Sequence, residues 1–470
     1  MTSDRVSPAP PRVVVVGGGI AGLAAAAAVR RRVPDADVLV LEAAPIVGGK
    51  LARVEVGGVL VDVGAESMLN RRPEAVGLAR EVGLGDRLVH PAAVTANLWS
   101  RGRMGPMPRT LMGVPTDTKG LATSGVISRT GLARAALEPA LPATHLDDRD
   151  VSIGWLVEER FGREVVDRLV EPLLGGVYAG HAREISARAA VPQVVALLDK
   201  DRSLMRAAAA ATTAVSDVPV FAGLVGGIGA LPEAVAAGLE VRTGATVRDL
   251  ARAADGGWNL VVGPTREAEV VHADAVVLAT PARPTARLLS DVAPDAALEL
   301  ARIEYASMAI VTMAFRDRDL PVTEGSGFLV PPVDGRTVKA ATYSFAKWDW
   351  VREAGGDLRV LRCSIGRHRE EQVLQRTDPE VVELALSDLA DAVGLAVRPV
   401  DAHVQRWGGA LPQYAVGHLE RVRRIRAGVA AQPGLAVCGA AYDGLGIPAC
   451  IASAELAATQ VVDALSQRGE

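Results

Sequence analysis

Aromatic residues are scarce in this chain. Tryptophan, tyrosine and phenylalanine make 3% of its 470 residues, so the 49% hydrophobic content rests on alanine and valine. Cysteine is scarcer still. Cys363, Cys438 and Cys450 form an odd set without a C-x-x-C pair, which argues against a disulfide framework and a thiolate metal site. Reduced thiols in a cytoplasmic protein are expected, with Cys438 and Cys450 packed in the core. Charge of neither sign dominates, and a net charge of -4 gives no basic footprint for nucleic acid. The seven histidines are scattered and none falls in H-E-x-x-H, so no metal is expected. The uncharged apolar run 13–29 is short for a membrane span and is interrupted by glycines. Arg30, Arg31 and Arg32 follow it, whereas a secretory leader carries its basic residues in front and its cleavage site behind. No period of self-similarity appears, which leaves out repeat architectures.

What is present is concentrated in 12–50. Val13, Val14, Val15 and Val16 are apolar on both faces, as a strand inside a parallel sheet must be. Gly17, Gly18 and Gly19 follow, then Ile20, Ala21 and Gly22, and Gly17, Gly19 and Gly22 fit G-x-G-x-x-G. The first glycine permits a tight turn, the second lets backbone approach a pyrophosphate, and the third lets helix pack on strand. A helix over 20–32 then aims its free N–H groups at the phosphates. A second strand over 36–41 ends at Glu42, where a carboxylate can accept hydrogen bonds from a ribose diol. An acid there disfavours a 2′-phosphate, so NADP is not expected. Strand, spacing, helix and acid together point to a dinucleotide.

Length suggests about three domains' worth of chain. Residues 1–11, with three prolines, read as a disordered lead. A helix is expected over 73–84, and loops with short helices over 98–146. A helical block follows: 153–161 capped by Ser152, 164–174 stopped at Gly175-Gly176, and an alanine-rich run over 186–198. Its apolar faces read first as ordinary helix packing, with an interfacial or tunnel-lining role as the alternative. From 221 the chain returns to the cofactor-binding part. A helix is expected over 231–237, a strand over 240–250, a hairpin turn at Asp255-Gly256-Gly257, its return strand over 258–262, and a buried parallel strand over 274–280. Strands over 308–315, 337–345 and 358–365 suggest an antiparallel sheet with one face to a cavity. An amphipathic helix over 379–393, a strand over 435–438, a loop over 444–448 and a helix over 451–465 complete the chain.

Several stretches carry a family resemblance. Gly48-Gly49-Lys50, just past the ribose acid, resembles the amine oxidase and phytoene desaturase group of flavoproteins, in which the pair continues an FAD site. More specific are Gly64-Ala65-Glu66-Ser67 with Arg71 and Arg72, the run from Val170-Glu171-Pro172 through Gly175-Gly176-Val177-Tyr178-Ala179-Gly180, Trp407 with Leu411-Pro412-Gln413-Tyr414, and Gly446-Ile447-Pro448-Ala449-Cys450-Ile451. With these in order the chain is similar to the oxygen-dependent protoporphyrinogen and coproporphyrinogen III oxidases of haem synthesis. The resemblance runs from about Val13 to Leu465.

The resemblance implies an α/β fold: an FAD-binding Rossmann-like domain (10–75 with 221–290 and 405–470), an antiparallel-sheet substrate-binding domain (76–105 with 291–404) and an inserted, mainly helical domain (106–220). It implies a six-electron aromatisation of a porphyrinogen, in which the flavin takes hydride and O2 reoxidises it to give hydrogen peroxide. The chemistry is flavin-centred, so no catalytic side chain is assigned. Carried over, FAD contacts fall on Gly17, Gly18, Gly19, Ile20, Ala21, Gly22, Glu42, Ala43, Lys50, Gly64, Ala65, Glu66, Ser67, Val247, Trp407, Ile447, Pro448 and Ala449. A helix N-terminus at Ile447 would stabilise negative charge on the reduced ring. Arg71 is the first candidate for the substrate's propionates, with Tyr343 and Lys347 behind it. Each has a plainer reading, as a solvated loop charge or a residue on the wrong face of a strand. Coproporphyrinogen III is the expected substrate and protoporphyrinogen IX the alternative. Contact with a membrane surface or another haem-pathway enzyme is left open, as is oligomeric state. The rival classes are another flavin amine oxidase or desaturase, a non-enzymatic binder of the GDP-dissociation-inhibitor type, and an NAD dehydrogenase, which gives no reason for Gly48-Gly49-Lys50.

Overall fold

The structure is a computed structural model that describes residues 10–213, 218–321 and 323–468. Residues 1–9 of the expected lead lie outside them. Strand β1 (Arg12–Val16) is the middle of a five-stranded parallel sheet. Helix α1 (Ile20–Arg32) leads from it to β2 (Asp37–Leu41) at one side. Ala275–Leu278 pairs on the other side, and Glu240–Arg242 and Leu435–Val437 form the edges. One sheet thus takes strands from the first forty residues, the middle and the last forty. Val13, Val14 and Val15 are wholly buried because helices or a second sheet cover both faces.

Helix α1 is rich in alanine, and small side chains let it approach the terminal helix Ile447–Arg468. Their alanines meet in one cluster: Ala24, Ala25 and Ala28 from α1, Ala454, Ala457 and Ala458 from the terminal helix. Arg30, Arg31 and Arg32 fall in the last turn of α1, where positive charge complements the helix dipole. The terminal helix begins at Ile447, four residues before the expected start. Pro448 occupies its first turn, where proline costs no hydrogen bond.

The second sheet has seven strands, in the order Asp401–Pro412, Tyr305–Arg316, Leu358–Ile365, Val338–Thr342, Gly327–Leu329, Asn97–Ser100 and Arg103–Pro106. All pairings are antiparallel except that of Gly327–Leu329 with Asn97–Ser100. Alternation sorts its two faces. Ala309, Val311, Met313, Leu361, Cys363 and Ile365 pack with Val381, Ala385 and Leu389 of the helix Asp378–Val393. Ala314 and Val360, on the other face, pack with Val56, Val59 and Val61 of the hairpin Arg53–Val56 and Val59–Asp62.

Four expectations are corrected. The single strand over 240–250 is two strands in different sheets. Gly244, at φ +66°, turns the chain from Glu240–Arg242 into Val247–Arg252, which opens a three-stranded antiparallel sheet. The stretch over 98–146 contains the edge hairpin Asn97–Ser100 and Arg103–Pro106, turned by Arg101 and Gly102 at positive φ. A turn that puts arginine at φ > 0 carries little signal in a sequence. The helix expected over 164–174 runs through both glycines to Tyr178, and the left-handed stop falls on Ala179. The run over 186–198 breaks at Val191, because Pro192 forbids helical geometry in the residue before it.

All three cysteines are free and buried. The helical region holds an ion pair in its core. Arg160 is 2% exposed and donates from Nε to Glu138 Oε1 at 2.9 Å; Glu138 is fully buried. Ser203 Oγ and Leu204 N also donate to this carboxylate. Arg160→Met leaves Glu138 charged without its cation, and breaking such a pair costs about 3–5 kcal/mol. We expect a lower urea midpoint and faster cleavage of 106–220 by a protease than in the parent protein.

Candidate cofactor and substrate site

The site begins where β1 ends. Gly17 stands at φ +111°, and a Cβ on it would lie 3.0 Å from Ala279 O. A Cβ on Gly22 would lie 1.9 Å from Gly17 O, so α1 can rest on the turn only through glycine. Gly19 caps α1, and a Cβ there would meet no atom within 4 Å. That open space faces a helix N-terminus with no acidic residue in its first turn. Glu42 closes β2 with its carboxylate held by Gly18 N at 2.5 Å and Ala44 N at 2.7 Å.

The second glycine pair lies directly on the first turn. Gly48 N donates to Gly18 O at 2.9 Å, and Gly19 and Gly48 form a parallel bridge. Lys50 follows. Burial lowers the pKa of its ammonium, which has no hydrogen bond or ion pair among the described residues and stands 6.0 Å from the Tyr305 ring. Gly64 then packs on the Lys50 carbonyl, where a Cβ would come to 2.0 Å, and Ala65 N donates to the same oxygen.

The Gly64 turn is fastened to the seven-stranded sheet. Trp407 Nε1 donates to Val63 O at 2.9 Å, and Arg362 Nη1 donates to Asp62 O and Gly64 O at 3.0 Å each. Glu66, with a side chain 9% exposed, lies 2.7 Å from Lys347 Nζ and 3.4 Å from Arg362 Nε. Burial alone would raise its pKa, but the charges of Arg362 and Lys347 outweigh burial and hold it at about 2. Asp62 accepts from Ile228 N at 2.8 Å and Gly229 N at 3.0 Å, which ties the Gly226-Gly227-Ile228-Gly229 segment to the same turn. Burial pushes its carboxyl up to about 6 despite those two amides. Arg362 and Asp62 were not among the residues expected. Their signal is faint: Asp62 ends an otherwise apolar strand, and Arg362 is one of two arginines in another.

The chain's other end arrives beside α1. Cys438 Sγ lies 3.9 Å from Ala21 O, and Gly439, at φ +119°, brings its backbone against Ala21. Ile447, Pro448 and Ala449 start the terminal helix, and Cys450 is close enough to Lys50 for their charges to interact. Val247 opens its strand two residues after Ala245, whose N–H donates to Glu42 O at 2.8 Å. Gly17 to Gly22, Glu42, Ala43, Lys50, Gly64 to Ser67, Trp407 and Ile447 to Ala449 therefore gather at the carboxyl ends of the parallel strands, where open α/β sheets bind ligands.

The three substrate candidates fare differently. Tyr343 is corrected: it is 3% exposed and packs between Phe328 and Phe345 in the cluster under the helix Asp378–Val393. Alternation puts it on the face of Ala341, in the same cluster, and the sequence did not say which face of the strand that was. Lys347 lies near the Gly64 turn, but Glu66 occupies its charge. Arg71 is exposed, with no hydrogen bond or ion pair among the described residues. No group of three or more histidine, cysteine or acidic side chains among the described residues could hold a metal.

The cradle fits a flavin dinucleotide: open space at Gly19, a helix N-terminus without an acid, an unpartnered Lys50 ammonium and a fixed carboxylate at Glu42. The chain belongs to the flavin containing amine oxidoreductase family, whose model matches residues 20–462. Within that family it falls with the porphyrinogen oxidases. It is 38% identical to a coproporphyrinogen III oxidase of Mycobacterium tuberculosis, over 96% of this chain and 97% of that one. A coproporphyrinogen III oxidase of Bacillus subtilis is 31% identical, over 97% of this chain and 98% of that one. A solved structure from Exiguobacterium sp., provisionally named a protoporphyrinogen oxidase, superposes with a TM-score of 0.86 at 32% identity, covering 97% of this chain and 99% of that one.

Two outcomes follow from the geometry. Gly22→Ala should abolish the visible flavin absorbance of the purified protein, whereas Gly77→Ala, where a Cβ meets nothing within 4 Å, should leave it intact. Glu66 has a folded pKa near 2 against an ordinary 4.5. A depressed carboxylate contributes stability that is full above 4.5 and lost as pH falls toward 2. Glu66→Gln should flatten that acid loss and cost about 3 kcal/mol at pH 7, read from denaturation curves of both proteins.

Proposed function

We propose that this protein is an FAD-dependent oxidase that converts coproporphyrinogen III to coproporphyrin III in the cytoplasm, with O2 as terminal acceptor and hydrogen peroxide released. The observation that carries it is the end-to-end match to the Mycobacterium tuberculosis coproporphyrinogen III oxidase. FAD supplies hydride acceptance from the saturated bridging carbons of the macrocycle. The chain's own residues hold, orient and shield. We assign 10–75 with 221–290 and 405–470 to flavin binding, 76–105 with 291–404 to substrate binding, and 106–220 to a mainly helical cover.

In this assignment Gly17 to Gly22 receive the pyrophosphate and Glu42 the ribose. Lys50 and the start of the terminal helix face the ring, where a positive helix end favours charge that grows on reduction. Trp407 and the Gly64 turn form a wall that keeps water from the reacting carbon. Arg71 offers an uncommitted guanidinium to a propionate, and a planar fork suits a carboxylate. No helix among the described residues is long and apolar enough to cross a membrane.

The test is anaerobic flavin reduction with coproporphyrinogen III and protoporphyrinogen IX side by side. We expect faster bleaching with the first. Arg71→Ala should raise KM for coproporphyrinogen about tenfold, the loss of one charge-assisted contact, with flavin content unchanged. An unchanged KM would remove Arg71 from the site, and bleaching with protoporphyrinogen alone would move the substrate assignment to that compound.

A further inference from the structure

Strand pairing leaves one apolar couple in the open beside the candidate site. Met68–Leu69 pairs antiparallel with Phe221–Leu224, so that Leu69 stands directly opposite Phe221 and Met68 opposite Ala222. Residues opposed in this way share a face of the sheet. Met68 and Ala222 are buried in the cluster that α1 and the terminal helix build. Leu69 and Phe221 take the other face, where they are 40% and 42% exposed. A single exposed apolar side chain is ordinary, but two opposed across a ladder make a continuous patch.

The surroundings give this patch a direction. Gly223 lies two residues past Phe221, on the same face, and a Cβ there would fall 2.7 Å from the Trp348 ring. Trp348 therefore lies on that face beside Phe221. Lys347, the residue before it, holds Nζ 5.3 Å from the Trp348 ring and 6.0 Å from the Phe221 ring. The same ammonium is 2.7 Å from Glu66, in the turn that begins at Gly64. Leu69 comes three residues after Glu66, and Arg71 two residues after Leu69. The patch thus lies between the Gly64 turn and Arg71. Charge along this run is uneven. Glu66 is set against Lys347 and Arg362, and Asp62 adds a second carboxylate near Arg362. Arg71 is left with no acid among the described residues.

We propose that Leu69 and Phe221 form an apolar seat for the tetrapyrrole at the approach to the site, holding its macrocycle between the Gly64 turn and Arg71. The proposal rests on the porphyrinogen substrate assigned above. Three features select this occupant. The seat is two side chains wide, whereas a stable protein partner covers about 800 Å2 on each side. It borders an uncommitted guanidinium, which suits a ligand with an apolar body and carboxylate arms. Its aromatic ring meets pyrrole rings with a preferred geometry, and that contact adds to simple area burial. Leu69 and Phe221 are positioning residues: they hold the macrocycle and leave the chemistry to the flavin.

The experiment uses flavin-loaded enzyme: wild type, Phe221→Gln, Leu69→Gln and the conservative Phe221→Leu. Each is assayed by anaerobic flavin reduction with coproporphyrinogen III and with protoporphyrinogen IX, by fluorescence titration with the product coproporphyrin III, by melting and by size-exclusion chromatography. We expect both Gln variants to raise KM for coproporphyrinogen III and the product Kd about tenfold, with the limiting rate within about twofold. Phe221→Leu, which keeps an apolar surface, should stay within about threefold of the parent. Because the contact is apolar, the factor should hold from about 50 mM to about 500 mM salt. A polar residue at a half-exposed position should leave Tm and flavin content unchanged. An unchanged KM in either Gln variant, with wild type turning over the substrate, overturns the seat alone. A wild type that does not reduce its flavin with either porphyrinogen overturns the substrate assignment, and the seat falls with it. A Gln variant that melts lower with KM unaltered makes the couple structural, and a parental dimer dispersed by the Gln variants with KM unaltered makes it an interface between copies. Both outcomes overturn the proposal.

Discussion

The site rests on a backbone contact that only glycine permits. Gly22 lies on the Gly17 carbonyl, Gly48 donates to Gly18, and Gly64 lies on the Lys50 carbonyl. Each step brings one segment against the last with no side chain between them. The sequence of contacts joins β1, the loop after β2 and the turn after the hairpin Arg53–Val56 and Val59–Asp62 into one wall. A methyl group at Gly22 or Gly64 would fall within 2.0 Å of a carbonyl oxygen, so the wall cannot relax by small shifts. Rigidity of this kind suits a cofactor that must hold its reactive atom fixed while substrate and product pass.

Charge is the second organising element. Near the Gly64 turn one buried carboxylate, Glu66, is set between two cations, and the set is neutralised from within up to a single positive charge. Lys50 lacks that internal compensation. Folding energy alone gives no reason to keep it, because a cation taken from water without a partner weakens the fold.

Most of the dinucleotide cradle was legible in the sequence because its constraints are local. A glycine that must admit a carbonyl, a helix that must start within three residues and an acid that must end the next strand leave a fixed spacing. The expected helix over 20–32 and strand over 358–365 coincide with those observed. Errors fell where tertiary contacts override local pattern. Gly244 divides what reads as one strand, because the two halves belong to different sheets. Gly175 and Gly176 look like a helix stop, yet packing carries the helix past them to Ala179. Tyr343 shows the limit of alternation in another way: it keeps the face of Ala341, but only the packing shows that this face is the core.

Arg362 was illegible for a different reason. It is one of two arginines in a run that otherwise predicts a strand, and a charge in a strand most often faces water. What marks it is burial on the face opposite the cluster under the helix Asp378–Val393, which depends on register: Ala341 and Cys363 pair within that cluster, and Thr342 and Arg362 pair on the other face. A one-residue slip in the Leu358–Ile365 strand would exchange Arg362 for Leu361 or Cys363 and bury its charge among Ala309, Val311 and Met313. That alternative is costly enough to exclude itself, so the charge that looks misplaced in a strand also fixes the strand, and it holds a guanidinium against the Gly64 turn.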